Sequence, residues 1–179
     1  MVIPTALTLA SLKKIGAAAF NAGVRDPINF LLSTFPRVHV YNAAGQSIPS
    51  SATFNLMLWD SEIYDTDSMH STSVNTSRIT FTTSGTYHVD VMICFASATY
   101  TTLSLQVNLN GGGVIGGGTN LRQMLYDQGA GNAGPFTFDR FFTAGDYIEV
   151  FVAQVSGGAK TTATSPLGSR VFAYMLATT

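Results

Sequence analysis

Three imidazoles, one thiol, a run of carboxylates and a glycine-rich stretch hold the groups in this chain that could do chemistry. His39, His70 and His88 are the only histidines, and no two lie at the i,i+2 or i,i+4 spacing that gathers metal ligands. They read as ordinary satisfied or surface histidines. No G-x-S-x-G elbow is present to seat a nucleophilic serine, so no enzyme is expected. "GGGVIGGG", residues 111–118, lacks the following Lys-Ser/Thr and the helix start of a phosphate loop; it reads as a hairpin loop. "WDSEIYDTDSMHS" collects Asp60, Glu62, Asp65 and Asp67, oxygen ligands of the kind calcium takes. The run lacks the fixed glycine and terminal glutamate of an EF-hand, which favours a solvated loop whose Asp and Ser side chains bond to their own backbone. Asp65 and Asp67, two residues apart on a loop, do not face each other across a sugar as a glycosidase pair must. Cys94 has no second cysteine to pair with and lies in an apolar run, so it is read as buried packing. No cofactor is expected.

The elements that must position these groups follow from composition and period. The 179 residues fit one domain plus an arm. Hydrophobic residues make up 46 % and charged residues 11 %, a balance of all-β or virion-type proteins. A net charge of −1 gives no general affinity for nucleic acid. Lys13 and Lys14 follow the first apolar residues, the wrong order for a secretory signal. No charge-free apolar run reaches the roughly 18 residues that a membrane span needs.

Residues 1–36 read as an arm, partly helical, with Asp26 as an N-cap and Pro27 at the first helical position. Ile28, Phe30, Leu31, Leu32 and Phe35 are too apolar for a free tail and are expected to dock on something. Residues 37–179 read as one head, with strands near 37–42, 52–59, 77–82, 86–96, 102–109, 121–126, 135–142, 146–155 and 169–177. The expected fold is an all-β, two-sheet antiparallel jelly-roll sandwich with a short, partly helical N-terminal arm. In "TLSLQVNL", Leu103, Leu105, Val107 and Leu109 alternate with Ser104, Gln106 and Asn108, which predicts one face to the core and one to water. In "GTYHVDVMICFAS", Tyr87, Val89, Val91, Ile93 and Phe95 point one way and His88, Asp90, Met92 and Cys94 the other. That strand, with "PFTFDRFF" and "SRVFAYML", has a partly apolar second face. An antiparallel sheet normally shows water on one side, so this face is expected to meet another copy of the chain.

Those segments carry a resemblance. "FTTSGTYHVDVMI", "LQVNLNGGGVI", "FTAGDYIEVFV" and "SRVFAYMLA" resemble, in the right order, the globular head of complement component 1q and its tumour-necrosis-factor-like relatives. The resemblance covers roughly residues 50–177. It implies a ten-stranded jelly roll that packs as a trimer through its inner sheet, and some relatives bind calcium. Ala173 stands where that family commonly has Gly, and there is no collagen-like stalk. "VRDPINFLL", "RVHVYNAAGQSIPS", "WDSEIYDTDSMHS" and "NTSRITFTTSGTY" are similar to capsid- or tail-associated virion proteins of actinobacterial phages and prophages, in which an attachment segment precedes such a head.

Together these imply a bacteriophage virion structural protein, made in the host cytoplasm. Its homotrimeric jelly roll would decorate the particle as a capsid decoration or minor tail protein. Expected at the trimer interface are His88, Asp90, Met92, Phe141, Phe172 and Tyr174; expected as anchor, binding capsid or tail proteins, are Ile28, Phe30, Leu31 and Phe35. The alternative is a tail module that binds a host-surface glycan or protein during adsorption. Neither reading involves nucleic acid or membrane.

Overall fold

A computed structural model describes residues 16–29, 35–95, 98–112, 120–126 and 132–178, with 120–126, 132 and 133 described by backbone alone. The chain divides into two compact units, Met1–Phe35 and Pro36–Thr179. In the first, a short helix α1 (Ala17–Phe20) runs through a π-helical turn (Asn21–Arg25) into α2 (Asp26–Asn29). Asp26 therefore does not start a helix as its type suggests. It has right-handed helical dihedrals, and its carboxylate pairs with Arg25 at 3.0 Å. Pro27 lacks an N–H and its ring crowds the carbonyl four residues back; the wider π turn just before it accommodates such a residue without ending the helix. Phe20 and Ile28 are exposed and Phe35 half-buried, while Phe30 and Leu31 lie outside the described residues.

The second unit is the expected all-β sandwich. Among the described residues its strands are β1 (Arg37–Tyr41), β2 (Ser47–Ile48), β3 (Ser51–Leu56), β4 (Ser61–Asp65), β5 (Arg78–Thr80), β6 (Gly85–Cys94), β7 (Thr102–Leu109), β8 (Asn120–Tyr126), β9 (Asn132–Phe142), β10 (Tyr147–Val155), β11 (Lys160–Thr161) and β12 (Arg170–Ala177). One sheet has the order β4-β1-β12-β6-β9, the other β5-β10-β7-β8, and β11 pairs with β2. Every pairing in the two large sheets is antiparallel. β6, β9 and β12 share one sheet and β7 lies in the other, as their different alternation requires.

Period two sets which side chains fill the sandwich. Tyr87, Val89, Val91 and Ile93 of β6 are fully buried, as are Val171 and Ala173 of β12 and Val38 and Val40 of β1. Facing them are Leu105 and Val107 of β7 and Ile148 and Val152 of β10. At one end Phe81 stacks on Phe142 with centroids 3.7 Å apart, and Tyr87 meets Phe81 edge-on at 4.7 Å. The Tyr87 hydroxyl donates to the Thr83 carbonyl at 2.8 Å, so its polar end is satisfied where its ring is buried. Asn110 and Gly111 close the end of β7 with φ of 53° and 70°, the two left-handed positions of a tight turn. A Cβ on Gly111 would lie 2.7 Å from the Tyr147 hydroxyl oxygen, so a side chain there would strain the backbone and push aside the end of Tyr147.

Two sequence expectations are corrected in the head. Residues 61–65, read as part of a solvated acidic loop, form edge strand β4, which pairs with β1 through Tyr64 and His39. Its acids escape the penalty of a sheet environment because each finds donors: Asp65 accepts the N–H groups of Asp67 and His70, and Glu62 bonds His70 Nδ1 at 2.7 Å. The polar alternates of β7 are the second correction. Ser104, Gln106 and Asn108 are buried and do not face water. Gln106 Nε2 donates to Asn108 Oδ1 at 2.6 Å and Asn108 Nδ2 donates to the Gly112 carbonyl, a polar ladder that meets its own hydrogen-bond demand.

The sandwich has two distinct ends. β1 begins at Arg37, opposite Tyr174 near the end of β12, and the Met175 N–H donates to the Pro36 carbonyl at 2.9 Å. The same end carries Gly85 opposite Phe142, and the turns at 110–111 and 143–146. The other end carries Tyr41 opposite Arg170, Thr102 opposite Val155, and the turns around 43–46, 156–159 and 163–169.

Candidate functional site

The outward face of the five-stranded sheet is where the reactive and recognition-capable side chains converge. Pairing register places Tyr64, His39, Phe172, Asp90 and Thr137 in one row across β4, β1, β12, β6 and β9. The next row holds Arg37, Tyr174, His88 and Asp139. All six residues predicted for a trimer interface fall on this face: His88, Asp90 and Met92 on β6, Phe172 and Tyr174 on β12, and Phe141 on β9 opposite Thr86. The five on β6 and β12 are half-buried, whereas Phe141 is 50 % exposed. Cys94 also lies on this face, half-buried and outside the core, and burial pushes its thiol up from the ordinary value.

Three further residues of the face are His39, Tyr64 and Arg170. With His88, Asp90, Phe172 and Tyr174 they line a cavity of about 440 Å³. Ring centroids lie 5.8 Å apart for His39 and Tyr64, 5.8 Å for His39 and Phe172, 5.2 Å for Phe172 and Tyr174, and 5.0 Å for His88 and Tyr174. The Arg37 guanidinium stands 5.0 Å over the Tyr64 ring. The alternation of "RVHVY" is a signal that His39 and Arg37 share a face. What brings them beside Phe172 is a pairing more than 130 residues away in sequence.

Polar groups on this face are incompletely satisfied. Asp90 Oδ2 accepts from Thr137 at 3.4 Å, but buried Asp90 Oδ1 has no hydrogen-bond partner and stands 3.6 Å from Arg170. Buried His39 Nε2 has none either. His88 Nδ1 is 2.6 Å from Asp139 Oδ1. Burial lowers the His39 pKa from its ordinary 6.5, Arg170 pushes the same way, and the Pro166 carbonyl and Asp90 push against it. Because the folded value is depressed, the unfolded chain takes up the proton first. His39 therefore contributes stability that is present above 6.5 and lost as pH falls through its folded value. The expected result is a lower melting temperature at pH 5 than at pH 7.5, with a smaller difference in His39→Gln.

The other titratable clusters hold the chain in place. Buried His70 sits between Glu62 and the Thr76 carbonyl. Asp60 accepts the N–H groups of Ala43 and Ala44; burial pushes its carboxyl up, but these bonds and one to Ser61 outweigh it and hold it below the usual value. Among the described residues no three His, Cys, Asp or Glu side chains converge on a point where a metal ion could sit. Nor does any histidine hydrogen-bond a serine, threonine or cysteine side chain among them. The arrangement offers shape, aromatic surface and unmet hydrogen bonds, which are the means of recognition.

No protein-family model matches the chain, and no curated protein matches it. Solved structures do. Murine APRIL at pH 5.0 superposes with a TM-score of 0.56 at 15% identity over 79% of this chain and 99% of that one. Eiger TNF from S. frugiperda gives 0.57 at 19% identity over 82% and 95%. The globular domain of zebrafish complement 1qA protein gives 0.50 at 9% identity over 79% and 97%. The head of this chain is thus a jelly roll of the tumour-necrosis-factor and complement-1q kind.

Proposed function

We propose that the head is a homotrimer closed through the outward face of its five-stranded sheet. We further propose that it serves as a structural, surface-decorating protein of a bacteriophage virion, joined to capsid or tail by residues 1–36. The observation that carries the trimer is a sheet face bearing Tyr64, Phe172 and Tyr174, with buried His39 Nε2 lacking a hydrogen bond and buried Asp90 Oδ1 held only by an ion pair to Arg170 at 3.6 Å. A face built for water satisfies its polar atoms and keeps such rings apart; one built for a protein partner leaves both for that partner. The virion role rests on the resemblance of the arm and the segments after it to phage virion proteins. Exposed Phe20 and Ile28 on the arm agree with attachment.

Light scattering tests the trimer, and a monomer at micromolar concentration would remove it. Quantitative mass spectrometry of purified particles tests the location. Many copies per particle support decoration, a few at the tail tip support host adsorption, and none removes the virion role. Deleting residues 1–35 is expected to leave a soluble, folded trimer that no longer joins particles; normal incorporation of the truncated chain would show that the arm is no anchor.

A further inference from the structure

The tight turn that closes β7 has a reaction open to it. Asn110-Gly111 is the one Asn-Gly pair in the sequence, and both residues are exposed to water. In such a pair the backbone nitrogen of the glycine can attack Cγ of the asparagine side chain. The bond from Cγ to the side-chain nitrogen breaks, ammonia leaves and a five-membered imide forms. Water then opens the imide at either carbonyl, leaving aspartate or an isomer whose backbone runs through the former side chain. Asparagine counts among the thermolabile residues, and a following glycine has no side chain to shield the attacking nitrogen. The fold favours that same glycine, with a φ of 70° and the Tyr147 hydroxyl oxygen 2.7 Å from where a Cβ would sit.

The same turn holds the reacting group back. Asn110 Nδ2 donates to Asp146 Oδ1 at 2.7 Å, and Asn110 Oδ1 accepts the Tyr147 N–H at 2.9 Å. Asp146 is itself set, because its Oδ2 accepts the Thr143 N–H at 2.8 Å. Both ends of the Asn110 carboxamide are thus clasped by the segment that leads into β10, and turning the group for attack gives up both bonds. We infer that Asn110 is a deamidation site gated by this clasp: inert while closed, reactive when the end of the sandwich opens. The conversion is one-way. A carboxylate at position 110 has no proton to offer Asp146 Oδ1, and two like charges in hydrogen-bond range repel, so the converted end does not reclose as before.

Peptide mapping by mass spectrometry tests the site on the full-length protein kept in mildly alkaline buffer, either folded or in urea. In urea, Asn110 is expected to convert ahead of every other asparagine. In the folded protein its conversion should be about tenfold or more slower, since reaction then waits on local opening. Asp146→Ala removes the acceptor of the Asn110 amide; it is expected to speed conversion about tenfold in the folded protein and to leave the rate in urea unchanged. Equal rates folded and in urea, an earlier conversion at another asparagine in urea, or no acceleration by Asp146→Ala overturns the gated site. Exchange of the two side chains is the second arm and does not depend on that variant folding. Asn110→Asp is expected to lower the urea midpoint, and adding Asp146→Asn to restore most of the loss, because donor and acceptor then trade places while an oxygen still receives the Thr143 N–H. An Asn110→Asp variant as stable as the unmutated protein, or a double variant no better than that single one, overturns the clasp.

Discussion

Tyr174→Asp is expected to leave the head folded but unable to assemble. Tyr174 lies on β12, the middle strand of its sheet, with its ring 5.2 Å from Phe172 and 5.0 Å from His88. In a single copy it is half-buried, so an aspartate there keeps part of its hydration and the sandwich behind it, Ala173 and Met175, is untouched. In a closed seam the same carboxylate is dehydrated, and the cross-strand Arg37, whose guanidinium stands over the Tyr64 ring, offsets only part of a penalty of several kcal/mol. Rotational symmetry repeats that cost in every copy. Light scattering should report monomer or aggregate while circular dichroism keeps its β signature; a trimer of this variant at micromolar concentration would place the seam elsewhere.

Phe142→Ala is expected to act on folding instead. Phe142 is fully buried, stacked on Phe81 at 3.7 Å with planes 8° apart and edge-on to Tyr87 at 6.2 Å. Truncation removes both contacts and leaves a cavity between two rigid sheets, a loss of about 3–5 kcal/mol. Domains of this size are stable by only about 5–15 kcal/mol, so the urea midpoint should fall steeply. Its neighbour Phe141 is 50 % exposed on the opposite face of the same strand. Phe141→Ala should barely move that midpoint while weakening assembly. Adjacent phenylalanines thus separate folding from association, and equal effects in urea would mean that the two faces are not distinct.

These contrasts show what local period reveals and what it hides. The strict alternation of β6 was legible because its inward set is uniformly apolar and its outward set mixed, so period two alone assigns the faces. The same rule misread β7. Ser104, Gln106 and Asn108 look like a wet face, yet a side-chain amide ladder satisfies polar residues without water. β4 was illegible for a related reason: its acids suggest a loop until their partners are known, and His70 is the one that satisfies Glu62. Asp26 misled because capping preference is local, while the π turn beside it carries the helix onward. The outward placement of the proposed interface residues on β6, β9 and β12 was readable strand by strand. The cavity was not, because His39 and Tyr64 meet Phe172 only through a first-to-last strand pairing that no nearby residue encodes.

That first-to-last pairing also makes the molecule usable as a display scaffold. Pro36 and Met175 are hydrogen-bonded neighbours, so whatever precedes the head and whatever follows Ala177 leave from the same end of the sandwich. A cargo fused at the carboxyl terminus would crowd the end from which the arm departs. The glycine turn at Gly157 and Gly158 lies at the opposite end, next to Val155, and a Cβ added at either glycine meets nothing within 4 Å. A peptide inserted there would project away from the arm's point of departure, once per copy and clear of the aromatic sheet face.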